Sequence, residues 1–258
     1  MLAELGEDAR VLAGGQSLVP MLNLRLARPS ALVDVGRVDE LSGTSSNGSL
    51  RVGATTRQAD ALRSEVVAGR TPLLTAALRH VGHPATRSRG TVGGSIAHAD
   101  PAAELPAVLL ALDGEVVVVS ARGERVIPAA SLFTGPFETA LDEGELLTAA
   151  RFGDMPEGAG FGFSEIARRR GDFALAGAAV VVARGYARVA LFAVASCAFR
   201  AAEAERALEQ GGGAEEAAAL AAAACDPSDD PHAPAAYRRG VARVATLRAL
   251  LEAGVARG

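Results

Sequence analysis

Twice in its first hundred residues the chain places two adjacent glycines beside a short apolar stretch and follows them with a hydroxyl residue. The first segment is Val11, Leu12, Ala13, Gly14, Gly15, Gln16, Ser17 and Leu18, and the second is Thr91, Val92, Gly93, Gly94 and Ser95. A glycine pair lets the main chain turn sharply and leaves its N–H groups unhindered, so both segments read as turns. Around them, short β-like runs alternate with helical periodicity, which predicts an α+β fold. Residues 10–13 and 31–35 read as strands with a helical connection between them. Ser46-Asn47-Gly48 separates runs at 40–44 and 49–54, the signature of a tight hairpin. Thr56 leads a helix to Val67. Thr71-Pro72 opens another through Val81, with threonine as cap and proline in the first turn, and Gly82-His83-Pro84 ends it. Residues 103–112 predict a buried helix, and 115–121 with 124–127 a hairpin over Arg122-Gly123.

A glycine-containing, acid-bearing stretch at 153–162 marks a boundary. Beyond it come apolar β-like runs at 173–183 and 188–198, helices at 201–210, 214–225 and 234–253, and a loop over Asp226-Pro-Ser-Asp-Asp-Pro. No internal repeat or sustained heptad appears. The apolar runs fall short of the ~18–20 residues that span a bilayer. The acidic N-terminus has neither the basic region nor the apolar stretch of a signal peptide, so a cytoplasmic location is expected. Net charge is -4 with basic residues scattered among acids, which argues against nucleic acid as a partner. The basic residues other than histidine are all arginine and alanine is abundant, a pattern of codon usage rather than chemistry. Only Cys197 and Cys225 are present, too few for the thiolates of an iron–sulfur cluster. Both are expected to behave as small buried hydrophobes.

Gly14-Gly15 after a strand can bring backbone N–H groups toward an anion, with Gln16 and Ser17 as side-chain donors. The spacing is neither the dinucleotide fingerprint G-x-G-x-x-G nor a Walker loop, which needs a lysine this chain lacks. Gly93-Gly94-Ser95 repeats the logic. Either turn alone is most often structural, but the two together suit a dinucleotide whose diphosphate is gripped from both sides. Arg87 and Arg89, just before the second segment, are candidate phosphate partners and equally candidate solvated side chains.

Several ordered motifs then carry a resemblance: Val11-Leu-Ala-Gly-Gly-Gln-Ser-Leu-Val-Pro, Asn23-Leu-Arg-Leu-Ala-Arg-Pro, Arg87-Ser-Arg-Gly-Thr-Val-Gly-Gly-Ser-Ile-Ala-His-Ala-Asp-Pro and Arg169-Arg-Gly-Asp-Phe-Ala, with Tyr237-Arg238-Arg239 and Arg248-Ala-Leu fitting later. From about Asp8 to its C-terminus the chain resembles the FAD-binding medium subunit of molybdenum hydroxylases, in pattern nearest the aerobic carbon monoxide dehydrogenase type. The resemblance implies a two-lobed FAD-binding domain of the vanillyl-alcohol oxidase type over residues 1–155 (lobes 1–53 and 54–155). A smaller α+β domain, with a three-stranded antiparallel sheet and helices, would follow over 160–258. It implies non-covalent FAD, its diphosphate held by the two glycine segments, with Asp100 accepting a hydrogen bond from the cofactor and Leu147 lying against the flavin. It places the molybdenum cofactor and 2Fe-2S clusters on a large and a small partner subunit, in a dimer of heterotrimers, with FAD relaying electrons to an external acceptor.

Two departures accompany the resemblance. The family has a further strand and helix before the position of Met1, so a shortened first lobe with an exposed strand edge is expected. At Ser164 a xanthine-oxidising type carries a lysine near the flavin, and serine would alter how the ring is tuned. Among other residues, His98 beside the second segment is either ligand-facing or a satisfied loop histidine. His80 and His83, three apart, lack a third metal ligand nearby, and no metal site is expected. The adjacent acids Glu215-Glu216 and Asp229-Asp230 read as solvated charges. A self-sufficient flavin oxidoreductase and a cofactor-free assembly module remain the rival readings.

Overall fold

The chain was analysed as a computed structural model that describes residues 2–6, 8–46 and 48–258. Asn47, central to the expected hairpin turn, lies outside the described residues.

Helix α1 (Leu2–Leu5) precedes β1 (Ala9–Leu12), α2 (Leu18–Asn23) and β2 (Ala31–Asp34). The two strands pair in parallel, Ala9 opposite Ala31 and Leu12 opposite Asp34, because the helix between them carries the chain back across the pair. A 3-10 turn at Asp39–Leu41 replaces most of the strand expected at 40–44, leaving β3 (Thr44–Ser45) to pair with β4 (Leu50–Gly53).

Helix α3 (Gln58–Arg63) is followed by α4 (Glu65–Arg70). The single helix expected over 56–67 breaks at Ser64, which is extended and caps α4 by accepting the Val67 N–H. Helix α5 (Pro72–Leu78) begins on proline as expected but ends three residues before Val81, and α6 (Pro84–Arg89) starts where only a helix stop was predicted. Then come α7 (Val92–His98), α8 (Glu104–Ala111), the hairpin β5 (Glu115–Ser120) and β6 (Gly123–Pro128), α9 (Ala129–Leu132), the small pair β7 (Phe133–Gly135) and β8 (Glu138–Thr139), and β9 (Leu146–Phe152). Strands β3-β4-β9-β5-β6, in that order, form an antiparallel sheet. Strands β3 and β4, which the expectation counted with the first lobe, belong to this sheet.

The second unit is built on β10 (Gly160–Ala167), β11 (Ala174–Ala183) and β12 (Tyr186–Phe192), extended by the two-residue β13 (Phe199–Arg200), with α10 (Ala202–Glu209), α11 (Ala214–Ala223) and α12 (Ala235–Glu252) behind. The sheet thus has a short fourth strand beyond the three expected. Its apolar runs lack polar alternation because both faces are covered. On β11, Ala179 and Val181 enter the core shared with the first unit, while Ala178 and Val180 enter the core under the helices. Close packing of β10 on α12 depends on glycine, since a Cβ on Gly162 would lie 2.0 Å from the Ala249 carbonyl oxygen. Polar ties fasten the two units. The Ala193 N–H donates to Pro101 O at 2.7 Å, and Asp113 at the end of α8 accepts from Arg188 and Arg200, each at 2.8 Å. Within the second unit, Arg238, 8% exposed, donates to the carbonyls of Leu175 and Ala193.

Candidate functional site

The two glycine segments, some eighty residues apart in sequence, lie against each other. A Cβ on Gly14 would stand 2.5 Å from Arg89 O and 2.8 Å from Gly90 Cα, and one on Gly94 would stand 3.6 Å from Ala13 Cβ. The glycines are therefore what allows residues 13–14 to seat on residues 89–94.

Their backbones are used in opposite ways. In the second segment the N–H groups from Val92 to Ser95 are consumed inside the chain: Val92 donates to Thr56 O and Gly93 to Ala54 O, both at 3.0 Å, and Ser95 to Thr91 O at 3.2 Å. Gly94 donates to Thr91 Oγ1 at 3.0 Å. This segment is the first turn of α7 with Thr91 as its cap. Gly93 is buried because a Cβ there would meet Ala54 Cα at 2.5 Å. The expectation that Gly93, Gly94 and Ser95 present N–H groups to an anion is thus not met, and they form a rigid wall instead. In the first segment, among the described residues, the N–H groups of Gly14, Gly15, Gln16, Ser17 and Leu18 find no acceptor within the chain. Gly15 takes the left-handed conformation at φ +71°. A run of five neighbouring free N–H groups on a sharp turn is suited to an anion. The Ser17 hydroxyl makes no capping bond, whereas the Gln16 amide folds back on Gly14 O at 3.4 Å. Val11 and Leu12 lead into the turn as the end of β1.

Arg57, which sequence reasoning passed over, fastens this arrangement. Its guanidinium donates to Arg89 O and to Gly36 O, and a Cβ on Gly36 would stand 3.1 Å from Ala13 O. One side chain thus joins the segment after β2, the first glycine turn and the approach to the second. Arg87 is turned away from that role, because its Nη1 donates to Val81 O at 2.7 Å and Gly82 O at 3.1 Å. Arg89 contributes its carbonyl.

His98 meets Phe137 in a tilted arrangement, with ring centroids 5.1 Å apart and the ring planes at 46°. Burial lowers its pKa against the opposing charge of Asp100, so the imidazole is neutral near pH 7. Asp100 Oδ1 accepts the Ala102 N–H at 2.8 Å, bracing the turn into α8. It borders a cleft of about 900 Å³ between the two units that also meets Phe137, Arg168, Phe173 and His232. Leu147 is 5% exposed and opposite Val118 on β5. It sits behind the second segment, since the neighbouring Thr148 carbonyl receives the Ala54 N–H and Ala54 supports Gly93. Ser164 pairs with Ala178 and shares the sheet face of Gly162, toward α12. The charged residue on the face toward the first unit is its neighbour Glu165. His80 packs tilted against Phe163, and the His83 ring lies against Gly171. Cys225 is buried with its thiol pushed up to about 11, and Cys197 is partly buried.

The profile of the FAD binding domain in molybdopterin dehydrogenase matches residues 1–152, and that of the CO dehydrogenase flavoprotein C-terminal domain matches residues 161–253. The 6-hydroxypseudooxynicotine dehydrogenase complex subunit alpha of Paenarthrobacter nicotinovorans is 42% identical, over 98% of this chain and 89% of the relative. The carbon monoxide dehydrogenase medium chain of Hydrogenophaga pseudoflava is 36% identical, over 97% of this chain and 91% of its own length. A solved structure of carbon monoxide dehydrogenase from that organism, lacking the Mo-pyranopterin moiety of the molybdenum cofactor, superimposes with a TM-score of 0.94 at 38% identity, covering 98% of this chain and 92% of the other. Among the described residues no helix is long and apolar enough to cross a membrane. With its FAD-binding half, its C-terminal half and its whole length matched in this way, the chain belongs to the FAD-binding medium subunits of the molybdopterin-dependent dehydrogenases.

Proposed function

We propose that this chain holds FAD non-covalently as the electron-relay subunit of a molybdenum hydroxylase. In this reading a large partner bearing the molybdenum cofactor oxidises the substrate, a small partner passes electrons through 2Fe-2S clusters to the flavin, and an external acceptor collects them. The observation that carries it is the run of free N–H groups from Gly14 to Leu18, seated on the wall formed by Thr91 to Ser95. Those N–H groups and the Ser17 hydroxyl would hold the diphosphate. The wall, closed by the Thr91 cap and backed by Ala54 and Leu147, would fix the turn and exclude water on that side. The bound flavin would supply the ability to exchange electrons singly or in pairs. Arg57 would act by positioning, keeping the two segments together.

The assembly would be a dimer of heterotrimers, and two unpaired cysteines suit a reducing cytoplasm. Coexpression with the presumed large and small subunits tests the reading. The purified complex is expected to show oxidised-flavin absorbance that bleaches on addition of substrate, and a complex without flavin would overturn it. Flavin reduction by substrate in the isolated chain would instead favour a self-sufficient oxidoreductase.

A further inference from the structure

Helix α12 carries a glycine that nothing inside the chain requires. Gly240 lies well within this 18-residue helix, where glycine weakens a helix relative to alanine. The other glycines take a left-handed backbone or sit where a Cβ would meet a neighbour, apart from Gly69 at the end of the short α4. Gly240 has neither reason. Its φ is outside the left-handed region, and a Cβ there would find nothing beyond its own helix within 4 Å.

Around Gly240 the helix turns an apolar stripe to solvent. Tyr237 lies three positions before it, Val244 four after and Leu247 seven after, so all share its face at about 3.6 residues per turn. Tyr237 is 56% exposed and Val244 42%, while Leu247 is partly buried. The opposite face, with Val241, Ala242, Ala249 and Leu250, is buried in the core of the second unit. By the same repeat, Arg243 flanks the stripe on one side and Arg248 on the other. The charge here runs against that of the whole molecule, since the helix has four arginines and one glutamate in a chain of net charge -4. Arg238 and Arg239 are spent inward, on Leu175, Ala193 and Asp230 and on Cys225 O, and Glu252 accepts the Phe163 N–H. Among the described residues, Arg243 and Arg248, both exposed, have neither an ion pair nor a hydrogen bond.

We propose that this face of α12 docks an acidic amphipathic helix of a partner subunit. The partner's apolar ridge would seat on Gly240 between Tyr237 and Val244, and Asp or Glu on its flanks would meet Arg243 and Arg248. Glycine at the centre lets the two helix axes come toward the near end of the usual 8–10 Å spacing. The arginines select the occupant. A second copy on the same face would set arginine against arginine, whereas an acidic partner pairs both charges. The inference rests on the multi-subunit reading proposed above.

Two sets of variants test it, with the large and small partner subunits as the probe. In the isolated chain Gly240→Ala should raise the melting temperature by about 2–4 °C, because alanine favours the helix and meets nothing. In titrations against the partner subunits the same variant should bind about tenfold or more weakly, because the added methyl holds the helices apart. Arg243→Glu with Arg248→Glu should weaken assembly at low salt and leave melting of the isolated chain unchanged. A Gly240→Ala chain that assembles as tightly as the parent overturns the docking face. So does one that melts lower, since the space beside Gly240 would then be filled within the chain. Sedimentation of the isolated chain should show a monomer, and a dimer that Gly240→Leu dissociates would put a second copy on the face and overturn the acidic partner. A parent chain that forms no complex overturns the multi-subunit reading and the face together, whereas a stable complex indifferent to all these changes overturns the face alone.

Discussion

The two glycine segments share a glycine pair and a following serine and are opposite in construction. Around Gly93-Gly94 the N–H groups are all spent on Ala54, Thr56 and Thr91, and the glycines exist so that helix α7 can sit directly on the backbone of residue 54. Around Gly14-Gly15 the N–H groups are left free, and the tightest contact, of Gly14 with Arg89 and Gly90, serves to place the turn. A glycine pair can therefore be a wall or a cradle, and what separates the two is whether the neighbouring backbone supplies acceptors.

Substitutions should separate the roles, and the largest effect is expected at the wall. Gly93→Ala forces a Cβ into the Ala54 backbone and should cost about 2–3 kcal/mol of stability, read as a lower denaturant midpoint with or without flavin. A midpoint within error of the parent would show that the wall is looser than described. Gly14→Ala should act the other way, weakening FAD binding about tenfold or more, about 1.4 kcal/mol, while flavin-free stability falls less than in Gly93→Ala. Titration by flavin fluorescence checks this. Thr91→Ala removes the cap on Gly94 and should cost about 1 kcal/mol, with Thr91→Ser restoring most of it in thermal melts. Ser17→Ala should leave stability within about 0.5 kcal/mol and weaken FAD binding only by the worth of one hydrogen bond, about 1 kcal/mol.

A pH series extends the contrast to the start of α8 and to β10. Glu165 and Glu104 have folded pKa values raised by burial above the ordinary 4.5, to about 8 and about 7, so between those limits the folded chain binds more protons than the unfolded one. Stability is therefore fully present below the ordinary value and is lost as pH rises through 7 and 8. Melts of wild type and Glu165→Gln near pH 6 and pH 9 should show a flatter decline in the variant.

Much of this architecture was legible in the sequence. The apolar run at β11 announced a strand, and the helices α10 to α12 fell close to their expected bounds because small apolar residues recur there at helical spacing. The break at Ser64 was hidden, since only the tertiary path turns that residue from helix interior into cap. Both glycine segments were visible as positions, but their difference was not, because the acceptors come from residues 54 and 56. Arg57 gave no signal, as its targets are backbone carbonyls. Glu165 did leave one: a charge on alternate positions with Phe161 and Phe163 interrupts an apolar face, one residue beyond the Ser164 on which attention fell.

The central claim, that the first segment is a cradle for the diphosphate of FAD, is met most directly by the flavin content of the folded chain. Purified in the presence of FAD and desalted, the wild-type chain is predicted to retain one flavin per polypeptide and Gly14→Ala to lose most of it, with both melting cooperatively. A cooperatively folded wild-type chain that retains no flavin would contradict the account.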